Sequence, residues 1–280
     1  MNAPLSLTEA VEQQLASGSV QLPVYSATAM RLESAVSKGD VTTAQIEDIL
    51  GQDPALAVQV LRVANSSFYG GLSKVNTISA AVMRLGQKQI LNIATLTAQR
   101  SAHATTDPAL KALMERLWQH AVGCAIGAKW LAEHAGCKAV ANEAFLAGLM
   151  HDVGALLVVK VIESLRSGDN GRVSLTGNVV MEAIDTLHAS LGARLIRHWQ
   201  LPEALAEVAA NHHADHPEAG DVIGQLVRLA NATCCKLGYD LVPDAGIRLS
   251  VLPEVEMLGV RDVTLAELEI AIEDGIAALA

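Results

Sequence analysis

The residues with most chemistry in them are His151 and Asp152, adjacent within Gly148-Leu149-Met150-His151-Asp152-Val153-Gly154. A polar pair set in so apolar a run is costly to bury unless something pairs with it. An imidazole nitrogen beside a carboxylate is a usual grip for a divalent metal ion. His120 lies upstream, and His188, His212 and His213 lie downstream. Metal chemistry needs neutral imidazoles and carboxylates converging from several helices. Neighbours on a helix point about 100° apart, so His151 and Asp152 cannot clasp one ion without help from other helices. The same holds for His212 and His213. His103, His134, His198 and His216 need no reading beyond core or surface residues.

The elements that must position these groups are helical. Half the residues are hydrophobic, only 3% are aromatic, and alanine is abundant. That mixture suits close-packed helices, since alanine has the best helix propensity and lets axes approach. Ser6-x-x-Glu9 is a capping box, predicting a helix over Leu7 to Ala16. A second helix carries Met30, Leu32 and Val36 and is closed by Lys38-Gly39. Thr42-x-x-Gln45 opens a third. Asp53-Pro54 is a start signal for Ala55 to Ala64, aspartate capping and proline needing no N–H. Thr77 caps a helix through Leu85, and Gly86 separates it from Gln87 to Ala98.

Asp107-Pro108 repeats the start signal for a long helix carrying Trp118, His120 and Trp130 and ended by Gly136. One helix is expected from Asn142 to Glu163, holding His151 and Asp152 within it. Arg166 to Gly177 is polar and glycine-rich, hence a loop. Val179 to His198, Pro202 to His213 and Val222 to Leu237 continue the series, and Thr264-x-x-Glu267 caps a last helix. Trp118 and Trp199 are expected in the core, and Phe68 and Tyr69 read either as a docking surface or, by preference, as pins that hold the Asn65–Gly71 loop onto that core.

Charge and cysteine usage exclude some functions. A net charge of −10 with scattered basic residues argues against nucleic-acid binding, which needs a basic stripe. Cys124, Cys137, Cys234 and Cys235 form no CxxC framework and read as small buried hydrophobes of a reducing compartment. The first ten residues lack a basic n-region and a long apolar run, so no signal peptide is expected. Ala144 to Ile162, interrupted by His151, Asp152 and Lys160, reads as a core helix rather than a membrane span. A cytoplasmic protein without membrane contact is the expectation.

The order of the histidines around His151-Asp152 resembles that in the HD superfamily of metal-dependent phosphohydrolases, above all its HD-GYP-like arrangement. The upstream half resembles something narrower, the HDOD domain of bacterial signalling proteins. The resemblance is carried by Gln52-Asp53-Pro54-Ala55-Leu56, by Leu61-Arg62-Val63-Ala64-Asn65-Ser66-Ser67-Phe68-Tyr69-Gly70, and by Ile78-x-x-Ala81-Val82-x-x-Leu85-Gly86. It continues through Leu117-Trp118-Gln119-His120 and Ala144 to Gly154, and extends from Leu22 to His213. It implies an all-α, multi-helix HD-like bundle with an N-terminal helical subdomain. On that basis residues 1–21 are a helix and connector, and 22–213 the HDOD domain, divided at 104/105. Residues 214–280 are helices completing the HD-like part.

The resemblance also implies a ligand set of His120, His151, Asp152, His188, His212 and His213. These suit iron or manganese, with Asp152 catalytic if the chain is an enzyme. Two departures bear on that. Catalytic relatives commonly follow His-Asp-x-Gly with lysine, where this chain has Ala155. The superfamily's late aspartate matches Asn231, a neutral oxygen that holds a divalent cation less well. The favoured expectation is a regulatory module without catalysis, acting by binding a signalling partner in trans or a small ligand. The other is a metal-dependent phosphohydrolase acting on a nucleotide or cyclic dinucleotide.

Overall fold

A computed structural model describes residues 6–17, 26–65, 74–168, 177–216 and 218–279. The described residues are helical, with no strand among them: α1 Leu7–Ser17, α2 Ala27–Ser37, α3 Thr43–Gly51, α4 Pro54–Ala64, α5 Ile78–Leu85, α6 Gln87–Ala102 and α7 Lys111–His134. There follow α8 Ala141–Met150, α9 Val153–Gly168, α10 Gly177–His198, α11 Glu203–Asn211, α12 Val222–Leu237, α13 Pro253–Met257 and α14 Asp262–Leu279. The all-α reading of the composition holds.

Many local signals act as their chemistry dictates. Ser6 and Glu9 form their reciprocal bonds at the start of α1, Thr42 and Gln45 do the same at α3, and the Asp53 carboxylate accepts from Leu56 N. Asn65 ends α4 and bonds both ways with Val75, through Nδ2 to the carbonyl and Oδ1 from the amide. It thereby ties together the two ends of a segment that includes Phe68 and Tyr69, which lie outside the described residues.

Other signals are used differently. Asp107 does not start the long helix. Its Oδ1 accepts from Ala109 N, two residues on, and its Oδ2 from Arg166, so Pro108 sits in a turn and α7 begins at Lys111. Thr264 lies inside α14, which begins at Asp262. The span expected as one helix over Asn142 to Glu163 is interrupted at His151-Asp152, where α8 gives way to α9. The short helix α13 has no counterpart in the expectations.

Two layers follow. In the first, α2, α4 and α5 pack on α6. In the second, α7 is the central helix, packed against α8, α12 and α14, while α9 packs on α10 and α10 on α11. From Ala121 to Ala128 every residue of α7 is buried, which its alanines and glycines permit. The layers meet where α6 packs on α8. The N-terminal helix α1 docks across the second layer, on α9 and α10, burying Leu7 and Val11. Lys138–Ser167 is the one described stretch long and apolar enough to cross a membrane, and most of its apolar window is buried inside this protein.

Two glycines set how closely the site-bearing helices approach. A Cβ on Gly148 would lie 2.6 Å from the Cys124 carbonyl oxygen, so α8 meets α7 backbone to backbone. A Cβ on Gly154 would lie 1.9 Å from the His188 carbonyl oxygen and 2.5 Å from Gly192 N. The start of α9 therefore touches α10 in a way only glycine allows. These two contacts bring His120, His151, Asp152 and His188 to one place.

Candidate metal centre

All six residues singled out in the sequence lie in one cluster, and five of them, all but His151, line a cavity of about 900 Å³. His120 comes from α7, His188 from α10, and His212 and His213 from the turn after α11. His151 and Asp152 occupy the break between α8 and α9. That break answers the pincer problem, because side chains released from one continuous helix can both face the centre. His151 Nε2 lies 3.7 Å from Asp152 Oδ2. His120, His151, His188 and His212 are buried, Asp152 is half-buried, and His213 stands at the exposed edge.

The proton positions follow from the carbonyls. Nδ1 of His120 lies 2.7 Å from Tyr239 O, that of His151 2.8 Å from Gly148 O, that of His188 2.8 Å from Ile184 O, and that of His212 2.9 Å from Ala209 O. A carbonyl only accepts, so each Nδ1 carries a proton and each ring turns its Nε2 inward. Those nitrogens pair at short range: His120 with His151 at 3.2 Å, and His188 with His212 at 3.3 Å. Two imidazole lone pairs cannot bond each other; a proton or a cation must lie between them.

Asp152 stands between the two pairs. Its Oδ2 is 3.4 Å from His120 Nε2, and its Oδ1 is 3.1 Å from His212 Nε2 and 3.7 Å from His188 Nε2. Oδ1 is buried and has no hydrogen-bond partner among the described residues. Burial alone would raise this carboxyl, but the imidazoles of His151, His212 and His120 hold it well below the usual carboxylate range. Burial likewise pushes His151 down to about 3, so that ring stays neutral. Donors about 2.0–2.1 Å from a tetrahedral centre lie roughly 3.3 Å apart, close to the spacing found within each pair. The residues therefore fit divalent cations, in two half-sites that share Asp152.

Two neighbours were not singled out as site residues. Cys124, one turn after His120 on α7, has its sulfur 3.6 Å from His120 Nε2. That i, i+4 spacing is visible in the sequence, but burial alone accounted for the cysteine there. Asp240, which follows α12, has Oδ2 3.5 Å from His120 Nδ1. No motif marked it, because the loop that delivers it has no pattern of its own. Asn231 lines the cavity, whereas Ala155 is buried in the core and does not reach it.

The remaining wall is acidic. Glu182, Asp185, Asp215, Asp240 and Glu254 join Asp152, and the cationic lining residue is Arg228. Arg228 is committed: it donates to Glu254 at 2.5 Å and to the carbonyls of His212 and Ala214 at 2.9 and 2.7 Å. It thereby fixes the turn that carries His212 and His213. Of the other histidines, His103 lies against Trp118 and His134 stacks on Trp130, while His198 and His216 are exposed.

The model of the HDOD domain family matches residues 22–215. A solved HDOD domain protein of unknown function from Geobacter sulfurreducens is 25% identical, covering 98% of this chain and 97% of its own, with a TM-score of 0.76. A Shewanella amazonensis structure, provisionally named a metal-dependent phosphohydrolase, shares the fold at 23% identity and TM-score 0.71, covering 96% of this chain and 98% of its own. An uncharacterized Treponema pallidum protein is 26% identical over 220 residues, 76% of this chain but 42% of that protein. The chain thus spans less than half the length of that curated relative.

Proposed function

Starting from the chain's membership of the HDOD domain family, we propose that it is a regulatory module that holds divalent metal ions in its histidine cluster and does not hydrolyse phosphoesters. The observation that carries the metal is the inward pairing of imidazole Nε2 atoms around a buried oxygen that has no hydrogen-bond partner among the described residues. His120 and His151, with Asp152 Oδ2 beside them, would hold one ion, and Asp152, His188, His212 and His213 a second. A bound ion supplies Lewis acidity and lowers the pKa of its water.

What the surrounding residues supply is ill suited to phosphoryl transfer, whose catalysis is mostly positioning and stabilisation of negative charge. The wall is acidic, its arginine is neutralised by Glu254, and Ala155 puts a methyl group in the core where relatives commonly have lysine. A multiply anionic substrate gains little there beyond what an ion itself offers. The same cavity suits a cationic or neutral small ligand, or a partner side chain reaching toward the ions. Signalling through such a ligand or partner is the role this supports.

Hydrolysis remains the second reading, favoured by one observation: a roomy cavity ends at a carboxylate shared by two half-sites. The discriminating assay supplies manganese, iron or zinc and a panel of nucleotides and cyclic dinucleotides. The expected result is background turnover, indistinguishable between the native chain and His151→Ala. Metal-dependent turnover lost in that variant would overturn the regulatory reading and establish the hydrolase.

A further inference from the structure

We propose that Cys124 is a metal ligand, completing with His120, His151 and Asp152 a four-donor site that takes a borderline-soft divalent cation, zinc by preference. The inference deepens the metal-holding reading above and rests on it. Family resemblance does not supply this ligand; it comes from the place of one buried side chain.

The four donor atoms are Nε2 of His120 and His151, Oδ2 of Asp152 and Sγ of Cys124. They stand 3.2 Å apart for the nitrogens, 3.4 and 3.7 Å from nitrogen to oxygen, and 3.6 Å from His120 Nε2 to sulfur. His120, Cys124 and His151 offer ligand atoms within 4.8 Å of one another. Around a tetrahedral ion with nitrogen about 2.0–2.1 Å and sulfur about 2.3 Å away, the edges are roughly 3.3 Å between nitrogens and roughly 3.6 Å from nitrogen to sulfur. The nitrogen–nitrogen edge of 3.2 Å and the nitrogen–sulfur edge of 3.6 Å fall close to those values.

A hydrogen bond alone is a poorer account. A thiol proton given to His120 Nε2, or to the Cys234 sulfur beside it, does not account for the approach of His120 and His151 Nε2 to 3.2 Å. One cation serves all four donors. Position and charge agree with this: Cys124 is one helical turn from His120, so both side chains leave α7 on the same face. The thiolate also restores the negative charge that Asn231 lacks relative to an aspartate. Softness then separates the half-sites, since thiolate favours zinc over manganese, while the half-site of Asp152, His188, His212 and His213 has only nitrogen and oxygen donors. Binding breaks the S–H bond and forms an S–metal bond, and the proton leaves to water through the cavity.

The test uses cobalt(II), an optical stand-in for zinc, added to full-length protein stripped by chelator and dialysed. Cobalt content and the absorption spectrum are read together. The proposal expects bound cobalt with a thiolate-to-cobalt charge-transfer band in the near ultraviolet. Cys124→Ser and Cys124→Ala should lose the band while the other half-site keeps its cobalt. A triple variant with Cys137, Cys234 and Cys235 all changed to serine leaves Cys124 as the sole thiol, and should retain the band. That arm identifies the ligand even if the Cys124 variants fold poorly. Cobalt bound without the band, or a band that survives Cys124→Ser or vanishes in the triple variant, overturns the thiolate ligand and spares the metal reading. No cobalt bound overturns both.

Discussion

At the scale of single residues, the same burial that tunes the cluster acts on His103, which lies outside it. His103 is buried at the end of α6, its Nδ1 donating to Gln99 O and its ring against Trp118. Burial above all pushes it down from about 6.5 to about 4, with Arg100 and Lys160 adding to the effect and the Gln99 carbonyl opposing it. As pH falls below 6.5 the unfolded chain takes up a proton that the folded chain refuses, so stability declines until about pH 4. The loss reaches roughly 2 kcal/mol by about pH 5. His103→Gln should remove that increment, which denaturant unfolding of both proteins at pH 7 and pH 5 will reveal; parallel losses would contradict it. His120, His151, Asp152, His188, His212 and His213 were all legible from residue type and order. Cys124 and Asp240 were not recognised as neighbours of the site, because a cysteine on an alanine-rich helix and an aspartate in a loop carry no marker of what they face.

At the scale of elements, geometry depends on how closely helices approach, and this is where pattern reading fell short. Periodicity predicts one helix through His151-Asp152, because apolar residues run on either side without a proline or a cap. What interrupts it is tertiary: Gly154 presses α9 onto the backbone of α10, and Gly148 presses α8 onto α7. Gly154→Ala would place a methyl carbon 1.9 Å from the His188 carbonyl. Overpacking of this kind costs about 1–3 kcal/mol or more, and here it moves the helix that carries His188. A lower melting temperature together with reduced metal retention is expected, measured by calorimetry and elemental analysis on one preparation. An unchanged pair of values would show that the crossing of α9 and α10 does not position the site. The Asp107-Pro108 signal failed for a related reason, since Arg166 on α9 competes for the carboxylate.

At the scale of the whole molecule, the all-helical class was legible because alanine content, capping boxes and the 3.6-residue period agree with one another. The arrangement of layers was not, since contacts such as α1 on α9 and α10 join residues far apart in the chain. That docking, with Val11 buried and Arg194 facing Glu12 at 3.5 Å, makes the first helix part of the body that houses the cluster. The packed helices bring five imidazoles and one carboxylate into one cluster, at spacings that fit a metal ion. The most direct test is elemental analysis of untagged protein purified without chelator, alongside Asp152→Ala. At least one equivalent of a transition metal in the native chain, lost in the variant, is the predicted result. No metal as purified and none taken up on reconstitution with zinc, iron or manganese would contradict the account at its centre.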